Sequence, residues 1–381
     1  MGRRVVKAGL AAGAALMLAA CGGGSDPSTV ANSGGAEGGG RNGGAGEAGS
    51  GGVKTAPLDQ AGTLTVSFCH PIPGASGKDA YGLTLRSYSV KDGSVAAERN
   101  VVLPDGAEPA SACGDDGPDY DAATAFNKDY TQVAVIVSAS TDRAAAVDLA
   151  TGKEISPPAK DTFSQPVEND GAAFHPVTGR LWYDLEQGDN EVASRDPKGG
   201  PSTEERFTRD KIPGLLKQDV QTAQTVLAIG HGNAPVAPGG GAVAMGNTTF
   251  GLSLNQVSAP GEYEYLTPIK TAGLEEKSVF CEPSFWRDAT TLVCEFKQLT
   301  FSADYKAVLK TQNLVPENDR LNLSPVSSPD GKSFAFLSKG DDRQWGLFRG
   351  DYSGGQPVKI GNVDMPLDGS EKHRTSLLRW N

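Results

Sequence analysis

The sequence predicts an all-β fold assembled from repeated four-stranded units, and three observations carry that expectation. From about residue 57 onward the chain alternates apolar with polar residues and has few long stretches at the 3.6-residue helical period. Turn formers are dense, with 49 Gly and 24 Pro in 381 residues, and they punctuate apolar runs of strand length. One strand–turn–strand pattern also recurs along the chain, the signature of an array of similar units.

The N-terminus comes first. Arg3, Arg4 and Lys7 precede an apolar run, Ala8 to Ala20, that is too short to span a bilayer as a stable helix. The run ends in Leu18-Ala19-Ala20-Cys21, where small residues flank a cleavable bond and the Cys thiol can carry a thioether-linked diacylglycerol. This segment resembles the bacterial lipobox. The resemblance implies that residues 1–20 are a lipoprotein signal peptide and that Cys21 is lipidated, which places the protein on the extracytoplasmic face of the cell membrane. Arg3-Arg4 leaves general and twin-arginine export both open. No later stretch is apolar for long enough to cross a membrane. Removing residues 1–20 takes away three positive charges and moves the formal charge from -11 to -14. Such an acidic body repels nucleic acid and anionic headgroups, so nucleic acid is excluded as a partner and the membrane is reached through the lipid.

Residues 21–56 are Gly-rich, with runs such as Gly38-Gly39-Gly40 and Gly51-Gly52. They hold nothing to bury and read as a disordered linker with a reach of roughly 30–35 Å. No Lys-Ser/Thr follows and no strand precedes, so the glycines are not a phosphate loop. Residues 57–381 form the folded domain. Its first strands are expected at Thr63–Phe68, Tyr81–Val90 and Val95–Leu103.

The clearest unit lies near the C-terminus: Ser327-Ser328-Pro329-Asp330-Gly331-Lys332-Ser333-Phe334-Ala335-Phe336. Pro presets φ, Asp caps the turn and Gly takes φ > 0. A strand over Ser333–Leu337, a polar turn at Lys339–Arg343, a strand at Trp345–Arg349, the turn Asp351–Gly355 and a strand at Pro357–Ile360 follow. Over about 35 residues this resembles the Ser-Pro-Asp-Gly repeat of TolB-type and WD-like β-propellers, without the WD dipeptide itself. The resemblance implies a propeller fold and protein–protein contact. Segments beginning at Phe126, Phe174, Val236 and Phe285 align to it without gaps, giving separations of 48, 62, 49 and 42 residues. That range suits one four-stranded blade per unit. The turns Val90–Ser94 and Asp148–Lys153 sit where a blade's outer hairpin belongs. Thr375-Ser376-Leu377-Leu378-Arg379-Trp380-Asn381 supplies the strand that the N-terminal three lack, and so closes the ring without an exposed edge. The expected architecture is a β-propeller of six blades, or seven if residues 203–232 hide a divergent unit, with a β-sandwich pair as the alternative.

Four cysteines besides Cys21 suit disulfides in an oxidising compartment. Cys281 and Cys294 are equidistant from the turn Trp286–Ala289 and can face each other across a hairpin. Cys69 and Cys113 remain to pair, tying the first blade to the connector into the second.

Chemistry is sparse. His70 is placed at a blade edge, His175 in a solvated turn and His231 in a loop that could face a ligand, while His373 joins no metal-ligand spacing. No Gly-x-Ser-x-Gly elbow exists. Asp115, Asp116, Asp119 and Asp121 are the one acidic cluster dense enough for calcium. Lacking EF-hand spacing and a terminal Glu, they read first as a solvated loop, so no cofactor is expected and calcium is the sole candidate. Trp182, Tyr183, Trp286 and Trp345 recur near equivalent strands and are expected to pack between blades. The leading functional expectation is a non-catalytic binding or scaffold propeller that engages a protein, peptide or envelope polymer. The alternative is an envelope hydrolase or lyase with its site in the central funnel. The residues lining the funnel discriminate: converging His, Asp, Glu or Arg favour the enzyme, and small or apolar residues oppose it.

Overall fold

The computed structural model describes residues 56–73, 79–109, 113, 122–138, 142–155, 171–185, 191–198, 205–208, 211–231, 234–246, 251–257, 266–274, 281–342, 344–364 and 374–381. Residues 1–20, expected as a signal peptide, Cys21, residues 22–55 of the expected linker, His373 and the acidic cluster Asp115, Asp116, Asp119 and Asp121 lie outside these residues.

Six antiparallel sheets follow one another along the chain. Blade 1 holds β1 (Thr63–Pro73), β2 (Asp79–Ser89) and β3 (Val95–Val102). Blade 2 holds β4 (Ala107–Glu108), β5 (Gln132–Val137), β6 (Arg143–Asp148) and β7 (Lys153–Glu154), with a 3-10 turn at Ala122–Ala125 between β4 and β5. Blade 3 runs through β8 (Ala172–Phe174), β9 (Leu181–Leu185), β10 (Glu191–Arg195) and β11 (Glu205–Thr208). Two helices follow, α1 (Ile212–Gln218) and α2 (Val220–His231). Blade 4 has three strands, β12 (Val243–Met245), β13 (Ser253–Val257) and β14 (Leu266–Pro268). Blade 5 comprises β15 (Pro283–Trp286), β16 (Thr291–Cys294), β17 (Lys297–Phe301) and β18 (Val308–Asn313). Blade 6 comprises β19 (Leu321–Ser327), β20 (Ser333–Lys339), β21 (Trp345–Asp351) and β22 (Val358–Val363). The last strand, β23 (Arg374–Trp380), returns to pair with β1 and completes blade 1.

Strand alternation turns this order into a ring. Successive side chains on a strand point to opposite faces, so each sheet buries two sets of residues against two different neighbours. On β5, Val133 and Val135 pack toward blade 1, whereas Ala134 packs toward blade 3. On β9, Leu181 and Tyr183 face blade 2 and Trp182 faces blade 4. On β16, Leu292 and Cys294 face blade 4 while Val293 faces blade 6. On β20, Phe334 and Phe336 face blade 5, and Ala335 and Leu337 face blade 1. The buried apolar residues thus form six clusters, one between each pair of consecutive blades, and the cluster shared by blades 6 and 1 closes the circle. Each large side chain so buried contributes about 1.5–3 kcal/mol. The chain is a six-bladed β-propeller closed by its C-terminal strand.

Polar bonds lock the closure. Asn381 N–H donates to the Thr63 carbonyl and Gly62 N–H to the Asn381 carbonyl, both at 2.9 Å. The Asn381 amide also donates to Thr65 Oγ1 at 2.8 Å and to the Leu58 carbonyl at 3.1 Å. Thr65 and Ser87 donate to that same carbonyl.

The segment that could have held a seventh blade holds something else. Strand β11 finishes blade 3, and α1 and α2 then pack between blades 3 and 4. Ile212, Leu216, Ala223, Val226 and Leu227 fill the space between Trp182 and Val192 on one side and Val236 and Val243 on the other.

Candidate functional site

A propeller offers two faces and a channel, and the connectivity here distinguishes them. In blades 2 to 6 the chain starts at the inner strand and moves outward, and in blade 1 β1 to β3 do the same outside β23. The turns from first to second and from third to fourth strand therefore share one face, the turn face. The second-to-third hairpins and the connectors between blades share the other, the connector face.

The turn face is built from repeated short motifs. In the Ser-Pro-Asp-Gly turn, Asp330 Oδ1 accepts from Ser328 Oγ at 2.7 Å and from Lys332 N–H at 3.1 Å, and Ser328 Oγ accepts from Ser333 N–H at 2.9 Å. Gly331 sits at φ 66°. Tyr130, aligned with Gly331, adopts φ 53°, and Phe126 bridges Val133 as Val236 bridges Val243. The same Ser-x-Asp geometry returns between β17 and β18, where Ser302 bonds Asp304 at 2.7 Å and Tyr305 takes φ 57°. Asp92, Asp148, Asp288 and Asp351 each accept the N–H two residues onward, so these carboxylates are turn caps. Accepted hydrogen bonds hold Asp92, Asp304, Asp330 and Asp351 below the usual carboxylate range.

His175 belongs to this face, but not as a solvated residue. It is 2% exposed, because α2, contributed by residues beyond blade 3, covers it. Nδ1 accepts the Val177 and Thr178 N–H groups at 3.1 Å each, and Nε2 is 2.9 Å from Thr222 Oγ1. Desolvation lowers its pKa, opposed by the Asp219 charge.

The connector face carries the elaborations. Cys69–Cys113 and Cys281–Cys294 both form, each with a Cα separation of 5.5 Å, and both fasten a connector to the end of a second strand. The route to the second bond differs from the expected facing pair. Residues 287–290 form the turn and the register shifts between Pro283 and Phe285, so Pro283 lies opposite Cys294 and Cys281 reaches it from ahead of the strand. Beside that bond, Glu295 N–H donates to the Glu282 carbonyl at 2.8 Å. Burial, then the Glu295 charge, raises the Glu282 pKa. Strands β1 and β2 continue past β23 and β3 as a two-stranded arm in which His70 pairs with Gly82 and Pro71 with Tyr81. The His70 ring occupies the space a Cβ at residue 82 would need. Pro71 and Pro73 remove N–H donors from the outer edge of this arm and so blunt it.

Among the described residues the innermost layer comprises β4, residues 122–126, β8, residues 234–236, β15, β19 and β23. Neighbouring members pack side by side, β19 against β23 and β15, and the 3-10 turn against β23 and β8. The Trp286 indole donates to the Pro235 carbonyl at 2.9 Å and links blades 5 and 4. Among the described residues, Ala, Pro, Ser, Thr, Val, Leu, Asn, Phe and Trp dominate this layer, and its titratable side chains are Arg374 and Arg379 on β23 and Glu108 on β4. Arg379 donates to the Lys128 carbonyl at 3.0 Å and lies over the Tyr130 ring. The four aromatics pack between blades: Trp182 and Tyr183 are buried, Trp286 packs on Phe301 and Tyr305, and Trp345 joins the cluster between blades 6 and 1. Among the described residues no group of three His, Cys, Asp or Glu could hold a metal, and no helix is long and apolar enough to cross a membrane.

No protein-family model matches the sequence, and no curated protein matches it. Among solved structures, the chain is similar to the periplasmic gluconolactonase of Pseudomonas aeruginosa at 15% identity, over 80% of this chain and 84% of that one, with a TM-score of 0.33. It is similar to a β-propeller domain from Myceliophteria thermophila at 12% identity, over 83% and 89%, with a TM-score of 0.30. With a puromycin-hydrolyzing peptidase of Mycobacterium tuberculosis the identity is 16%, over 80% of this chain and 46% of that one, with a TM-score of 0.34. Likenesses this remote transfer no substrate, activity or partner.

Proposed function

We propose that this chain is a membrane-anchored extracytoplasmic lipoprotein whose propeller is a non-catalytic binding module, engaging a protein, peptide or envelope polymer through its connector face. The observation that carries this reading is the innermost layer, which among the described residues is mostly small and apolar, with Glu108, Arg374 and Arg379 as its titratable side chains. The two disulfides on the connector face support it, since they brace that face for contact and form in an oxidising compartment. The Ser328-Pro329-Asp330-Gly331 turn resembles the repeat of TolB-type propellers, a likeness that favours protein contact.

The lipid anchor is tested by expressing the full chain and its Cys21→Ser variant in a bacterial host. The parent is expected in the membrane fraction, with Cys21 as the first residue and a diacylglycerol mass on it. An unmodified, soluble parent overturns the assignment.

One observation favours a second reading, an envelope hydrolase or lyase. Glu282 and Glu295 are adjacent carboxylates, and the environment moves Glu282 toward the protonated form, as in acid–base pairs. Turnover of an envelope polymer that Glu282→Gln abolishes is the signature of that reading.

A further inference from the structure

We infer that His175 is an acid-operated latch: a second proton on its ring releases the first turn of α2 from blade 3 and loosens the helical hairpin between blades 3 and 4. The inference starts from the direction of the hydrogen bonds. Nδ1 receives two backbone N–H groups, from Val177 and Thr178, so it holds a lone pair and the ring proton sits on Nε2. Nε2 therefore donates to Thr222 Oγ1. That hydroxyl donates in turn to Asp219 Oδ2 at 2.7 Å, and Asp219 Oδ1 caps α2 by accepting the Thr222 N–H at 3.1 Å. The relay runs one way, from blade 3 to the helix cap, and every hydrogen in it is assigned.

A second proton has one place to go, Nδ1, where it meets two N–H donors. The acceptor that closes the turn becomes a donor facing donors, and the turn or the ring must give way. The cation would also sit beside the N-terminus of α2, where the helix dipole disfavours positive charge.

The charged groups around the ring do not offset this. Asp219 favours the cation, but it is exposed and already committed to Thr222. Arg180, on the same hairpin, is held by the Ser194 hydroxyl at 3.1 Å and the Ser194 carbonyl at 3.0 Å. Lys217, in the last turn of α1, is exposed. The Trp182 ring, with its centroid 6.5 Å away, presents an apolar surface. Burial outweighs Asp219 and holds the folded pKa below the ordinary His value. The neutral form is thus favoured by folding: the stabilisation is complete above about pH 6.5 and is lost as pH falls through the folded value.

Among the described residues, the latch holds an element with no counterpart elsewhere in the ring. The equivalent positions are Asn127 in blade 2, Ala237 in blade 4, Trp286 in blade 5 and Ser328 in blade 6; Asn127 and Ser328 accept backbone N–H groups, and all four side chains lack a titrating group. Among the described residues, only in blade 3 does the turn residue reach across to a helix. Releasing α2 would uncover the cluster formed by Ala223, Val226 and Leu227 against Trp182 and Val236.

The experiment is hydrogen exchange of residues 212–231 in the full chain at about pH 7.5 and about pH 5, corrected for intrinsic rates, with His175→Asn as the comparison. Asn at 175 keeps an acceptor for the turn and removes the titration, as Asn127 does in blade 2. Protection of the helices is expected to fall about tenfold at the lower pH in the unaltered chain and to stay constant in His175→Asn. Unchanged protection in the unaltered chain, or the same loss in the variant, overturns the latch. Should the variant not fold, the His175 ring signals of the unaltered chain decide: titration below about 6.5, moving with the amides of 220–226, supports the proposal, and free titration near 6.5 with those amides unmoved overturns it.

Discussion

Gly152 shows how much one residue can be required to do. Its φ is 67°, and a Cβ there would lie 2.6 Å from the Val102 carbonyl oxygen on the outer strand of blade 1. Gly93 meets the Ile360 carbonyl of blade 6 and Gly354 the Asn313 carbonyl of blade 5 in the same way. In these three blades the outer turn is tucked against the preceding blade's edge, and only glycine allows both the left-handed backbone and the close approach. Gly179, at φ 69°, has nothing within 4 Å. Gly179→Ala is therefore expected to cost about 1 kcal/mol, and Gly152→Ala at least about 2–3 kcal/mol because backbone must also move. Equal losses for the two in denaturant unfolding would show that the inter-blade contact adds nothing. The turns at Gly93 and Gly152 were legible in sequence as Asp-Gly and Thr-Gly signals. Their second duty was not, because the partner strand lies in another blade. His175 was misread for a related reason: its turn aligns with solvated turns, and its burial is supplied by Thr222, 47 residues later.

At the scale of elements, the disulfides and the helices teach different lessons. Cys281–Cys294 closes a span of 13 residues and Cys69–Cys113 one of 44. Loop entropy alone makes these worth about 3 and about 4 kcal/mol, so Cys69→Ser/Cys113→Ser should lower stability more than Cys281→Ser/Cys294→Ser, by roughly 1 kcal/mol. A reversed order, measured by urea unfolding, would mean that local geometry rather than chain closure governs both. The pairings were readable from count and spacing, whereas the bulge between Pro283 and Phe285 was not, since nothing in an apolar-polar alternation announces an extra residue. The helices of 212–231 were hidden in a segment considered for a blade. Their signals were present: Pro213 in the first turn of α1, and Asp219 three residues before Thr222 as a cap with Ala223, Val226 and Leu227 on one face. The repeat period argued for more strand, and the local helix signals won because the space between blades 3 and 4 needed apolar filling.

For the whole molecule, the ring was the most legible feature. The strand pattern, the aligned turns and the unpaired N-terminal strands together required β23 to return to blade 1, and Leu64 pairs with Trp380 as that closure demands. The number of blades followed once 205–208 completed blade 3 and 212–231 became helical. Function was far less legible, because a propeller assembles its surfaces from loops of different blades and no local motif records what converges. The proposed binding role rests on the inner layer and the braced connector face. The most direct test places a photo-crosslinking side chain at exposed Asp341 on the connector face and, separately, at exposed Lys332 on the turn face, in full-length protein in intact cells. Binding through the connector face predicts a discrete adduct from position 341 and none from position 332. Adducts from position 332 alone, or from neither position, would contradict it.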